Sequence, residues 1–173
     1  MSLSAMPEPF CSKRGRPLAI RAAGPEDAAA LAEMLGGLSA QSVERRYLTP
    51  RVLDEAAARR EAARIVGAAP DRIVIVAERA DGCGIVAVAE LARDVAEPAV
   101  AESAVVVADA YQGEGIGRAV LERLAAAASG AAISRLRAIT LAHNLPVRRL
   151  IASSGRPYTA RFAGAEVFYE VAL

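Results

Sequence analysis

Residues 105–118, Val-Val-Val-Ala-Asp-Ala-Tyr-Gln-Gly-Glu-Gly-Ile-Gly-Arg, constrain this chain more than any other segment. A β-branched run stops before Asp109, glycines alternate at 113, 115 and 117, and Ile116, Val120, Leu121 and Leu124 then recur at helical spacing. Glycine has no Cβ, so this backbone can approach a ligand closely and turn several N–H groups toward one anion. The first N–H groups of the helix lack partners within it, and its dipole favours negative charge there. Strand, glycine turn and helix in this order describe a phosphate-binding turn.

The residues around the glycines narrow the choice of anion. A P-loop requires Lys and then Ser or Thr after its last glycine, whereas Gly117 is followed by Arg118 and Ala119. A dinucleotide fingerprint requires a third glycine where Arg118 stands and an acidic residue about twenty positions on, and neither is present.

Elsewhere the hydrophobic period changes in a regular order. Leu18–Ala22 is a short strand, and Gly24-Pro25-Glu26-Asp27 opens a helix whose apolar stripe is Leu31, Met34, Leu35 and Leu38. Residues 39–47 and 52–66 are two further helical pieces broken at Pro50, expected to form a lid-like pair. Strands over 72–79 and 84–93, joined at Asp81-Gly82, and a third over 99–107 predict an antiparallel meander. After the glycine loop and its helix come a strand over 136–141, a helix over 144–154 ended by Gly155, and strands near 158–162 and 167–171. The order predicts an α/β (α+β) fold, a mixed and mostly antiparallel sheet flanked by helices. One domain is expected over residues 18–173, with 1–17 a flexible leader.

With 54% hydrophobic content, 173 residues suffice for one domain with a sizeable core. A net charge of +1, from 21 basic and 20 acidic residues, gives no field that would draw nucleic acid or an anionic membrane. From Ala131 onward, however, Arg135, Arg137, Arg148, Arg149, Arg156 and Arg161 outnumber Glu166 and Glu170, which suits an anionic ligand. Cys11 and Cys83 are too few for a disulfide framework and have no Cys or His at ligand spacing, so no metal is expected and a reducing cytoplasm fits. No apolar run approaches the roughly 18 residues of a membrane span.

Gln112-Gly113-Glu114-Gly115-Ile116-Gly117 resembles the Q/R-x-x-G-x-G/A signature of the GNAT acyltransferases, in which the loop wraps the pyrophosphate of coenzyme A. Ala101–Val107 is similar to the strand before that loop, and Ile139–Gly155, ITLAHNLPVRRLIASSG, to the next strand and its Asn-led helix. The resemblance implies the GNAT fold, with acetyl-CoA as cosubstrate lodged where the middle strands splay apart. It implies that backbone N–H groups among Gln112, Gly113, Gly115, Ile116, Gly117 and Arg118 hold the pyrophosphate. Backbone groups of Val105 and Val107 would pair with the pantetheine arm as another strand would, with Asn144 on the pantetheine and Arg148 at the 3′-phosphate. Glu114 is a departure, because a carboxylate beside a diphosphate is repulsive unless it points to solvent.

The implied reaction is attack of a primary amine on the thioester carbonyl. A lysine-like amine has a pKa near 10.4, so a base must accept a proton first. Glu102 lies in an apolar strand on the same face as Ala104 and Val106, and a glutamate at this distance before the Gln resembles the general base of bacterial protein lysine acetyltransferases that modify acyl-CoA synthetases. Glu90 is the reserve. A strand N–H near Val107 would meet the oxyanion. The tyrosine that many members carry in the helix after the Asn is Ile151 here, and the Gly-Phe that follows is Gly155-Arg156, so water, Tyr169 or Tyr158 would have to serve as acid. His143 beside Asn144 is set aside as structural. Leu38–Tyr47, LSAQSVERRY, resembles the L-S-x-x-S-x-x-x-R-[FY] stretch of those lysine acetyltransferases and favours a protein lysine acceptor. A small-molecule amine acceptor and a non-catalytic CoA-binding sensor stand as alternatives, and a homodimer is left open.

Overall fold

A computed structural model describes residues 6–173. The chain runs β1 (Glu8–Cys11), β2 (Pro17–Ala22), a 3-10 turn (Pro25–Asp27), α1 (Ala28–Gly36), α2 (Ala40–Tyr47), α3 (Glu55–Val66), β3 (Arg72–Arg79), β4 (Ile85–Arg93) and β5 (Val100–Val107). A second 3-10 turn (Asp109–Tyr111), α4 (Ile116–Gly130), β6 (Arg135–Leu141), α5 (Leu145–Ala152), β7 (Tyr158–Ala163) and β8 (Glu166–Ala172) complete it. Its eight strands form one sheet in the order β1-β2-β3-β4-β5-β6-β8-β7. Every pairing is antiparallel except β5 with β6, which α4 joins by a crossover.

Strands β3 and β4 read as nearly unbroken apolar runs because both of their faces are covered. On one face Ile116, Val120, Leu124 and Ala128 of α4 pack on Ile75, Ala87, Ala89 and Leu91. On the other, Leu31 and Leu35 of α1 and Ala58, Ala62 and Ile65 of α3 pack on Val74, Val76, Val88 and Val106. Each fully buried Leu or Ile contributes about 1.5–3 kcal/mol. The lid expected from α2 and α3 is therefore corrected for α3, whose alanine face admits close approach to α1 and makes it part of the core.

Local chemistry explains where the elements begin. Asp54 accepts the Ala57 N–H at 2.7 Å, so α3 starts at Glu55 and not at Val52. Asp27 closes a capping bond to the Gly24 N–H at 3.0 Å and takes both guanidinium nitrogens of Arg21 at 2.8 and 2.7 Å. The first turn there is 3-10, and the α-helix begins at Ala28. Residues 8–16, expected within a flexible leader, are instead a strand paired to β2 and a closed turn. The first five positions lie outside the described residues.

Candidate functional site

The sheet opens at one place. Ladder pairing of β5 with β6 covers only Val100, Ala101 and Glu102 against Arg135, Leu136 and Arg137, although β5 runs on to Val107 and β6 to Leu141. Ser103 closes the vertex by donating its hydroxyl to the Arg137 carbonyl at 3.2 Å. Beyond it β5 has a free edge, whose polarity follows from register. The Ala108 N–H donates to the Val86 carbonyl at 2.9 Å, so by alternation Ala104 and Val106 face β4 while the backbone groups of Val105 and Val107 face the gap.

The glycine loop stands at the end of this edge. Among the described residues, the N–H groups of Gly113, Glu114, Gly115, Ile116, Gly117 and Arg118 have no acceptor, and the first helical bond of α4 is Ala119 to Gly115. Gly113 and Gly115 have φ of +76° and +86°, a region that disfavours other residues. At Gly117 a Cβ would stand 3.4 Å from Val107 Cγ2 and 3.9 Å from Leu150 Cδ1, so glycine lets α4, α5 and the strand meet. Six free N–H groups at a helix start can hold a diphosphate. The Gln112 N–H does not belong to this set, because it donates to Asp109 at 3.3 Å.

Gln112 acts through its side chain. Its amide nitrogen donates to the Val107 carbonyl and to Ser42 Oγ, both at 3.0 Å. Ser42 Oγ in turn donates to Asp109 at 2.7 Å, and Ser39 gives Asp109 both its N–H at 2.9 Å and its hydroxyl at 2.7 Å. Desolvation pushes the Asp109 carboxyl up, but these donors outweigh it and hold it below the usual range. The node ties α2 to the loop, with Ser39 also capping α2 through the Ser42 N–H. The serines of LSAQSVERRY thus act as anchors. Arg46 of the same stretch pairs with Glu90, and burial, with the Glu61 carboxylate adding, pushes Tyr47 up to about 12.

The carboxylates separate by environment. Glu90 and Glu102 share the α1/α3 face of the sheet, since Glu90 stands opposite Ala104 and Glu102 opposite Ala92. Glu90 is buried among Arg46, Arg64 and Arg72, whereas Glu102 is exposed at the vertex of the gap opposite Arg137 of β6. Glu114 is 1% exposed and escapes the loop by turning inward against residues 12–16, not by pointing to solvent. Asn144 is buried at the start of α5 with its Oδ1 lacking a partner among the described residues. Arg148 donates to the Ala142 carbonyl at 3.1 Å and lies 5.7 Å over the Phe162 ring, so its guanidinium is engaged at β7. Tyr169 is buried against Tyr158 at 6.0 Å between ring centres, and His143 is exposed. Sequence inspection missed the Gln112–Ser42–Asp109 node, because its members lie about 70 positions apart and their only local signal was the helix cap at Ser39.

The free strand edge, the uncommitted N–H groups, the cradle of positive-φ glycines and the orphaned Asn144 oxygen fit a long ligand that ends in a diphosphate. Solved structures bear on the fold. The GNAT domain of S. lividans PAT is similar at 24% identity and a TM-score of 0.87, with all of both chains covered. The Salmonella typhimurium protein yncA, solved with acetyl-CoA, is 23% identical with a TM-score of 0.65, over 90% of this chain and 92% of that one. A cAMP-binding acyltransferase from Mycobacterium smegmatis is 23% identical with a TM-score of 0.65, over 96% of this chain but only 47% of its own length. Among the described residues no helix is long and apolar enough to cross a membrane. The family model of the acetyltransferase (GNAT) domain matches residues 18–156, and the chain belongs to the GNAT acetyltransferases, a family whose cosubstrate is acetyl-CoA.

Proposed function

We propose that this protein transfers an acetyl group from acetyl-CoA to a primary amine, with a protein lysine as the acceptor class and Glu102 as general base. One observation carries the reading: the free edge of β5 begins just past exposed Glu102 and leads to six N–H groups without acceptors. At about 3.3 Å per residue, the five steps from Glu102 to Val107 span about 16 Å, a length that suits an extended pantetheine arm. In this reading the N–H groups of Gly113–Arg118 hold the diphosphate, and the backbone of Val105 and Val107 pairs with the arm's amides. Asn144 offers its unpartnered oxygen to the same arm.

Acetyl-CoA supplies the activated thioester. Glu102 takes a proton from the incoming ammonium, and the uncharged amine attacks the carbonyl. The Gln112 bond to the Val107 carbonyl fixes the loop end of the edge along which the arm lies. The C–S bond then breaks, the new amide nitrogen gives its second proton to water, and the thiolate leaves toward the open mouth, where solvent protonates it, so Ile151 in place of a tyrosine does not stop the reaction. The exposed face around Glu102, Ile139 and Arg161 suits a side chain presented by a protein more than a small molecule needing enclosure. Glu90 is assigned no catalytic part, because its arginine partners occupy its oxygens.

Glu102→Gln should lower kcat about 100-fold, the usual scale of general base catalysis, and leave the acetyl-CoA Kd within twofold. Thiol release with lysine peptides and with free amines, together with calorimetric titration, measures both. Undiminished turnover would remove Glu102 from the mechanism. Tight acetyl-CoA binding with no turnover on any amine would replace the enzyme by a sensor.

A further inference from the structure

The turn joining β1 to β2 plays no part in the chemistry above, yet it is fastened to the middle of the glycine loop. Resting on the acetyl-CoA reading of that loop, we propose that this turn belongs to the phosphate site. Lys13 and Arg14 supply cations to the diphosphate, and Glu114 is the post that holds them in place.

Glu114 stands between two loop glycines with its side chain buried. Its Oε2 accepts the Ser12 hydroxyl at 2.6 Å. Oε1 lies 3.5 Å from Arg16 Nε and 3.8 Å from Arg14 Nη1 and accepts no hydrogen bond among the described residues. The backbone repeats the attachment, with the Lys13 N–H donating to the Glu114 carbonyl at 3.0 Å. Arg16 lies 4.4 Å over the ring of Tyr111, just before the loop, and Glu8 of β1 pairs with Arg123 of α4 at 2.7 Å. The turn is closed on itself by Ser12 N–H to Arg16 O at 3.0 Å and Gly15 N–H to Ser12 O at 2.8 Å.

Burying a carboxylate costs several kcal/mol unless it is paired, and here it lies in a loop built for another anion. Both penalties are offset when the carboxylate orders cations at the rim. Lys13, Arg14 and Arg16 against Glu114 leave a net +2 beside the loop, from three positive and one negative side chain. Lys13 is placed for the task. Its Cε and Cγ lie 3.5 and 3.7 Å from where a Cβ on Gly115 would be, so its stem crosses the loop, and no carboxylate among the described residues is within ion-pair distance of its exposed end. Glycine at 115 leaves room for that crossing as well as for φ of +86°.

The test is calorimetric titration of the Lys13→Ala/Arg14→Ala double variant with CoA, dephospho-CoA and pantetheine. Both side chains are exposed and Glu114 keeps its closer partners Ser12 and Arg16, so an unchanged Tm is expected and shows intact folding. The Kd for CoA and for dephospho-CoA should rise by the same factor, about tenfold for charge-assisted phosphate contacts, with a shallower salt dependence. Pantetheine, which lacks phosphate, should show no change, and Lys13→Arg/Arg14→Lys should restore affinity. A double variant that binds CoA as tightly as the parent overturns the proposal and leaves the loop assignment intact. A loss seen with CoA but not with dephospho-CoA puts the contact on the 3′-phosphate and overturns the diphosphate assignment. If the parent protein binds no CoA, the loop reading itself falls.

Discussion

Strands β3 and β4 are sandwiched between α4 and the α1/α3 pair, and β5 reaches both clusters through Ala101 and Val106, whereas β8 and β7 lie outside both clusters, α5 has no buried residue, and β7 is exposed along its whole length. Both halves belong to one hydrogen-bonded sheet. Packing on two faces fixes β5, so in the proposed function its free edge is a rigid ruler for the pantetheine arm, while the thinner wall of the gap is the one that adjusts to the acceptor.

The largest effect expected from this contrast is on stability in the sandwiched half. Ile75→Ala, at a position with essentially no exposure, should cost about 3–4 kcal/mol in urea unfolding. A cost below 1 kcal/mol would mean that the two halves are packed alike.

Between the halves stands the node that joins α2 to the loop. Ser42→Ala removes the hydroxyl between Asp109 and Gln112 and should cost about 1 kcal/mol, with a severalfold rise in the acetyl-CoA KM as Gln112 loosens. The node also predicts a pH signature. The Asp109 carboxyl is held low in the folded protein, so its stabilisation is present above the unfolded value of about 3.9 and is lost as pH falls through the lowered folded value. Losing one donor should flatten that acid limb in the variant, which unfolding at pH 2–5, about the range where carboxylates titrate, would reveal. An acid limb identical to the parent's would remove Ser42 from the node.

The smallest effect belongs to the thin half. Phe162→Ala on β7, 60% exposed, should change stability by no more than about 0.5 kcal/mol. Hydrogen exchange should likewise be faster in β7 than in β3. Equal protection would show that something covers β7 in solution.

Much of this was legible in the chain. The alternation of β5, the unbroken apolar runs of β3 and β4 and the glycine spacing are local patterns, and each produced the element it signals, whereas the expected start of α3 at Val52 misses the equally local cap at Asp54. Four-residue β1 carried no period long enough to detect, and only its pairing with β2 orders it. Glu90 and Glu102 are both acids in apolar strands, and their neighbours in sequence do not distinguish them. Arginines brought from α2, α3 and β3 do.

By itself the sequence determined the order of elements from β2 onward and the glycine turn before α4, because periodicity and glycine conformation act over a few residues. Tertiary structure decided which way Glu114 points, which carboxylate is free and where the sheet parts. Ser12 and Glu114 are 102 positions apart, and Ser42 and Gln112 are 70. Contacts of that range depend on the register of a closed sheet and on which helix covers which face, quantities that no local pattern encodes.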